Sequence, residues 1–324
     1  MAISEKTNLI AAAVQVDCQL LQVSTNLAHA AQFVEEAAQQ GAQLVLLPEL
    51  LPSGYLLTEE IWESAEPVNG PCTAWLNGLA RRLHIYLGMT YLEAEGEDFY
   101  NAFVLAAPDG ITTWRVRKAP PASLEAYFYR AGQNTHVLDT PLGRIGVGIC
   151  YENLRFDTLQ AFYRGSVDLV LQPMAAGRPL PYKPGDIELF DQMIENCAPH
   201  YAISLGAPVV LANRTGEIHT ALPGTYPPFN SSFPGLSAIV DGDGSLLGRL
   251  GAEEGFLLGE VQLGLDRKPE HKPRRYHKEW ALHVPWYAGM WPQTQHEGEL
   301  AYAQNERRRQ RALAISHSEA ISTS

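Results

Sequence analysis

A chain of 324 residues with 46% apolar and 19% charged residues has the length of one large or two ordinary domains and the balance of a globular protein. Its 24 basic against 36 acidic residues leave a formal charge of −12, which disfavours nucleic acid and anionic membranes as partners and leaves a small or cationic one. The four cysteines, Cys18, Cys72, Cys150 and Cys197, form no CxxC pair and the ten histidines no HExxH-type spacing, so neither a disulfide framework nor a metal or other cofactor is expected.

In chain order, residues 1–23 lack the basic start and apolar core of a signal peptide, and no stretch reaches the ~20 uninterrupted apolar residues of a spanning helix, so a soluble cytoplasmic protein is expected. LIAAAVQV (9–16) reads as a buried strand. NLAHAAQFVEEAAQQG (26–41) follows as a helix, with Asn26 placed to cap it, Leu27, Ala30, Val34 and Ala37 on one face, and Gly41 at its end. LVLLPE (44–49) is a second strand that stops at Pro48 and leaves Glu49 just beyond it, a common place for catalytic side chains in α/β folds. Helical patterns at 71–83, 155–164 and 186–206 alternate with strands at 85–90, 101–107, 112–116, 145–149, 167–173 and 208–213, which is the pattern of an α/β layer fold. The turns APDG (107–110) and VDGDGS (240–245) join strands as hairpins, so the sheets should mix parallel and antiparallel pairs. From about 265 the texture changes: RKPEHKPRRYHKEW (267–280) is rich in charge and proline, and ELAYAQNERRRQRALAI (299–315) reads as a polar helix. The chain thus divides into a main domain over 1–265 and an appendage over 266–324. The run of Arg307, Arg308, Arg309 and Arg311 is expected to be a solvated helix face or a contact with an acidic sister subunit.

Three reactive side chains lie at or just past strand ends: Glu49 in LVLLPELLPSGY, Lys118 in WRVRKAPP and Cys150 in GVGICYEN. Brought together, they have the means for nucleophilic acyl chemistry without histidine. The carboxylate takes the thiol proton, and the ammonium stabilises the thiolate and then the oxyanion. Taken singly, each also reads as a packed core cysteine, a surface lysine or a loop carboxylate, and spacing alone does not choose.

The ordered set LLPELLPSGY, RVRKAPPASLEAYF and GRIGVGICYEN resembles the nitrilase superfamily of carbon–nitrogen hydrolases, whose Glu, Lys and Cys triad follows this chain order. YNAFVLAAPDG, VDLVLQP, VVLANRTG and FPGLSAIVDGDGSLLG resemble further segments of that family, so the resemblance covers about residues 8–263. It implies an α-β-β-α sandwich of two mixed β-sheets flanked by helices, with Glu49 as general base, Lys118 as oxyanion stabiliser and Cys150 as nucleophile. It further implies that Glu125 positions substrate or assists proton transfer, the alternative being an exposed helix-start glutamate, and that the backbone N–H of Tyr151 completes the oxyanion hole. Glu152 and Asn153 are expected to pin the turn around the cysteine. The implied reaction is cleavage of a non-peptide C–N bond in a small amide through a cysteine thioester, releasing ammonia or an amine, in a homodimer or larger homo-oligomer whose contacts include the C-terminal extension, 266–324.

Several positions depart from the family pattern. Pro120 stands where many members carry histidine, Arg155, Phe156 and Asp157 replace an aromatic–proline–acid run, and Tyr201, Ser204 and Leu205 break a usual polar contact set. Tyr151 in place of the tryptophan usual in nitrilases proper favours an amidase. The rival readings are a nitrilase or an N-carbamoyl amide hydrolase, with Arg155 or Arg178 on a substrate carboxylate, and a silent scaffold member. MAAGRPLPYKPGD (174–186), which also offers Lys183, and ALPGTYPPFNSSFPG (221–235) are expected to border the pocket.

Overall fold

Residues 7–181, 183–264 and 272–318 are described by the structure, a computed structural model. The expected domain boundary at 265/266, the first residues of the 267–280 stretch and residues 1–6 of the chain start lie outside the described residues.

In chain order the strands are β1 (Thr7–Gln15), β2 (Leu44–Leu46), β3 (Glu66–Pro67), β4 (Tyr86–Glu95), β5 (Asp98–Ala106), β6 (Thr113–Arg117), β7 (Val137–Thr140) and β8 (Gly143–Val147). They continue as β9 (Leu169–Pro173), β10 (Val209–Ala212), β11 (Glu217–Thr220), β12 (Phe229–Ser232), β13 (Ala238–Val240), β14 (Leu246–Arg249) and β15 (Gly255–Leu263). The helices are α1 (Val23–Gln39), α2 (Pro71–Leu83), α3 (Phe156–Gly165), α4 (Asp186–Leu205), α5 (Trp291–Gln304) and α6 (Glu306–Ser316). One sheet runs β15-β1-β2-β4-β5-β6, with β3 beside β4, and the other runs β14-β13-β10-β9-β8-β7. Both mix parallel pairs, such as β1 with β2 and β8 with β9, with antiparallel ones.

Side-chain alternation along β1 sets the layers. Leu9, Ala11 and Ala13 join the core shared with the second sheet, whereas Ala12 and Val14 join the one formed with α1 and α2. Because both faces of the strand are covered, it reads as a continuous apolar run instead of an alternating one. On the far side α3 and α4 pack against the second sheet, which completes the α-β-β-α sandwich.

Two local expectations change. Asn26 does not cap α1, which begins three residues earlier; its amide is buried and donates to Gln19 O (2.7 Å) and Pro52 O (2.9 Å) while accepting from Gln19 N (2.9 Å). Leu27, Ala30, Val34 and Ala37 are buried together, as their spacing requires. The polar helix expected over 299–315 is two helices, because Asn305 leaves helical geometry and caps α6, accepting from Arg308 N at 3.0 Å.

Both C-terminal helices fold onto the same chain. α5 lies on the short 3₁₀ turn Ser123–Tyr127 so closely that a Cβ at Gly298 would sit 2.8 Å from the Tyr127 backbone. α6 lies against β4 and β5, with its arginines paired to Glu59, Glu63, Glu97 and Asp98.

Candidate active site

Glu49, Lys118 and Glu125 meet in the interior, each 1% exposed or less. Glu49 follows β2, Lys118 follows β6 directly, and Glu125 sits in the 3₁₀ turn that α5 covers. Lys118 Nζ lies 2.6 Å from Glu49 Oε1 and 3.0 and 2.8 Å from the two oxygens of Glu125. The remaining carboxylate acceptors are also filled. Asn101 Nδ2 donates to Glu49 Oε1 (2.7 Å) and Ala175 N to Glu49 Oε2 (3.0 Å). Tyr55 OH donates to Glu125 Oε1 (2.7 Å) and Ala122 N to Glu125 Oε2 (2.9 Å). Glu125 is therefore buried and paired, not an exposed helix-start residue.

Cys150 stands where the chain leaves β8 and enters a 3₁₀ turn, Cys150–Leu154, with φ at +51°, a left-handed conformation that costs a non-glycine residue energy and must be held by its surroundings. Glu152 and Asn153 hold it. Glu152 Oε2 accepts from Ile149 N (2.6 Å), and its Oε1 accepts from Ala119 N and bonds His136 Nε2 at 2.7 Å. Asn153 Nδ2 donates to Gly148 O (2.7 Å) and Cys150 O (3.1 Å). A Cβ at position 148 would lie 2.1 Å from Asn153 Oδ1, so this approach requires glycine.

Burial and neighbouring charge divide the protons among these groups. Burial pushes the Cys150 thiol well above its ordinary range, and the Glu49 charge adds to the rise against the pull of Lys118. Burial also raises Glu49, opposed by Lys118. For Lys118 burial acts against the ammonium, yet Glu125 and Glu49 outweigh it and hold the charge well beyond neutral pH. The resting site thus holds a neutral thiol beside a carboxyl shifted upward and a persistent ammonium. The Cys150 thiol and the Glu49 carboxyl are near enough to influence each other's protonation.

A cavity of about 440 Å³ opens over Cys150. Ala175, Ala176 and Gly177 of the segment after β9 line it, with Leu222, Tyr226 and Phe229 of the 221–235 segment, as expected. Tyr287, Met290 and Trp291 also line it, which reading the sequence alone did not foresee. A surface groove more than twice as large, about 1,090 Å³, runs past Asp17, His29 and Glu254 and includes none of Glu49, Lys118 and Cys150. Arg178 lines that groove, engaged by Asp191 at 2.9 and 2.7 Å. Arg155 contacts Asp157 at 3.3 Å, and the Lys183 ammonium lies 4.4 Å from the centre of the Trp286 ring. None of the three is among the residues lining the Cys150 cavity. The Tyr151 ring packs edge-on against Trp280 and Trp291, at centroid distances of 6.0 and 5.8 Å. Among the described residues no cluster of metal-ligating side chains is present, and no helix is long and apolar enough to cross a membrane.

Sequence reasoning missed Asn101 and Tyr55 as partners of the two carboxylates. Both lie inside the quoted stretches YNAFVLAAPDG and LLPELLPSGY, and a polar residue within an otherwise apolar strand was the available signal for Asn101.

Residues 10–267 match the family model described as carbon-nitrogen hydrolase. The chain is 30% identical to a nitrilase of Pyrococcus abyssi over 63% of its own length and 74% of that protein. It is 28% identical to the N-carbamoylputrescine amidase of Solanum lycopersicum over 83% of itself and 91% of that protein. With Nitrilase 1 of Arabidopsis thaliana the identity is 34%, over 46% of this chain and about half, 49%, of that protein. A crystal structure of a carbon-nitrogen hydrolase from Helicobacter pylori G27 superposes with a TM-score of 0.71 at 20% identity, covering 79% of this chain and 89% of that one, and so shares the fold. A match to the family model across most of the chain, on a sandwich of this architecture, places the protein among the carbon–nitrogen hydrolases of the nitrilase superfamily, which act on C–N bonds other than peptide bonds.

Proposed function

We propose that the protein hydrolyses a small amide through a thioester on Cys150, with Glu49 as general base and Lys118 as oxyanion stabiliser. The observation that carries this reading is the Lys118 ammonium, held between Glu49 and Glu125 within 3.0 Å of both, beneath a cavity lined by Cys150. In the first half-reaction Glu49 takes the thiol proton as Sγ bonds to the carbonyl carbon. The oxyanion forms beside Lys118 and the Tyr151 N–H. Collapse breaks the C–N bond, and protonated Glu49 gives its proton to the departing amine. Water then loses a proton to Glu49 and attacks the thioester, and the acid leaves as the proton returns to Sγ. Glu125 keeps Lys118 charged and placed throughout. We infer, from the family resemblance, that the working form is a homodimer or larger; light scattering of the purified protein checks it.

The test is ammonia release from a panel of amides, nitriles and N-carbamoyl amino acids by wild type and Cys150→Ala, with intact-mass analysis. Release with an acyl adduct on wild type and neither in the variant supports the reading. Release that survives Cys150→Ala removes the nucleophile assignment, and silence with an inert Cys150 favours a scaffold.

A further inference from the structure

The cavity wall carries no formal charge among the described residues: its polar side chains, among them Tyr55, Ser123, Gln293 and Thr294, are neutral, and the rest is apolar. Leu154, Leu180, Met193, Phe229, Tyr287 and Trp291 form much of it, and among the described residues no Asp, Glu, Lys, Arg or His lines it. Behind its lining residues Ala175 and Tyr55, which bond Glu49 and Glu125, two carboxyl groups pair with one ammonium. A substrate carboxylate would lose its water in this space without finding a cation, while facing excess negative charge. A substrate ammonium at the end remote from the scissile bond would meet aliphatic side chains and an aromatic cluster already packed upon itself. Trp291 stands edge-on or tilted to Tyr151, Trp280 and Tyr287, with centroids 5.8–6.2 Å apart.

The same wall depends on the C-terminal segment. Trp291 opens α5, and α5 is held against the Glu125 turn by the Gly298 approach and by Ser123 Oγ, 2.5 Å from Thr294 Oγ1. Farther along, Tyr302 OH accepts from Phe99 N at 2.9 Å. The residue that closes the apolar wall is therefore anchored to the element that supplies Glu125, and the cavity is shaped before a ligand enters.

We propose that the site, acting as in the preceding section, selects a neutral acyl group with an apolar or aryl-alkyl tail, and that Trp291 is a specificity-determining residue for that tail. This inference rests on the hydrolase reading, so its test separates the two.

Ammonia release is measured for hydrocinnamamide (neutral aryl-alkyl), glutaramate (carboxylate), aminovaleramide (ammonium) and acetamide (small). Equilibrium binding of the same four to Cys150→Ala is measured alongside. Expected is a kcat/KM for hydrocinnamamide roughly 100-fold above either charged amide, with binding in the same order. Trp291→Ala should shrink the hydrocinnamamide-to-acetamide ratio at least roughly ten-fold, and Trp291→Phe, which keeps most of the packing, should restore part of it. Equal or better use of a charged amide, with turnover still dependent on Cys150, overturns this inference and leaves the hydrolase reading in place. Absence of turnover with selective binding of hydrocinnamamide does the reverse. A ratio unmoved in both Trp291 variants removes Trp291 from specificity, and unselective binding by Cys150→Ala overturns the neutral-tail inference.

Discussion

Asn101 donates to the same oxygen of Glu49 that Lys118 holds: Nδ2 lies 2.7 Å and Nζ 2.6 Å from Oε1. The amide is oriented by this bond at some expense, since its own buried Oδ1 has no partner among the described residues. A neutral donor thus helps keep a buried carboxylate ionised. Asn101→Ala should lower kcat/KM roughly ten-fold, the worth of one hydrogen bond to a charged group. It should also move the acid limb of the pH profile upward, because a carboxylate that loses a donor holds its proton more tightly. A merely structural asparagine would leave that limb in place.

Glu125 acts on the same limb with the opposite sign. Its charge is among the influences that raise Glu49, so Glu125→Gln should move the limb to lower pH even as Lys118 loses a partner. The expected loss in kcat is roughly ten- to a hundred-fold, with less change in KM. Tyr55→Phe, which removes only the 2.7 Å hydroxyl contact, should follow in the same direction by a smaller factor. A Glu125→Gln enzyme with undiminished kcat would reduce Glu125 to packing.

The wild-type profile has its own signature. In the proposed mechanism Glu49 must be ionised to accept the thiol proton, and burial raises it, so activity should fall on acidification at a pH above the ordinary glutamate value of about 4.3. Burial also raises the thiol, and the two carboxylates raise Lys118, so neither group titrates at the ordinary thiol value of about 8.5 and the plateau should extend past it. Alkylation of Cys150 by iodoacetamide, followed by intact mass, should share the acid limb. A rate climbing steadily to about pH 8.5 would instead be that of an unassisted thiol.

The meeting of Glu49 and Lys118 was legible because each of the three candidates lies where an apolar run stops: Glu49 after Pro48, Lys118 after β6, Cys150 after β8. Layering was legible in the helical spacing of α1 and the continuous apolar run of β1. The C-terminal fold-back was not. Its anchors join residues far apart in sequence, such as Arg308 and Asp98, and nothing local to ERRRQR distinguishes an intramolecular partner from solvent or a sister subunit. β15 was missed for a related reason, since GFLLGEVQL gains its strand character from pairing along the whole of β1.

The arginine run should therefore be energetically uneven. Arg308 is buried, bonded to Asp98 Oδ1 (2.9 Å) and Tyr302 O (3.2 Å), with its guanidinium carbon 4.1 Å from the Tyr302 ring centre. Arg307, Arg309 and Arg311 pair with acids at the surface, where water screens the attraction. Arg308→Ala should cost about 3 kcal/mol, the scale for breaking a buried pair, and should raise KM because α6 helps to seat α5 and Trp291. Arg309→Ala should leave both nearly unchanged. Thermal unfolding and KM for a neutral aryl-alkyl amide check this, and equal effects from the two variants would refute the distinction.

Behind Cys150, the Glu152 carboxylate collects Ile149 N, Ala119 N and His136 Nε2. Glu152→Gln turns an amide N–H₂ toward at least one of these donors, with an expected cost of about 3 kcal/mol and a lower melting temperature. The pH dependence is more diagnostic. Burial lowers the His136 pKa, but attraction to Glu152 outweighs it and leaves the folded value raised. A raised folded pKa means stabilisation that is complete below the unfolded histidine value, near 6.5, and fades as pH rises through the folded one. The gap in melting temperature between wild type and His136→Gln should accordingly be largest at about pH 6 and narrow toward about pH 9. A gap that widens with pH would mean that the imidazole is neutral when it bonds Glu152, and that the turn carrying Cys150 is held by a neutral hydrogen bond instead of an ion pair.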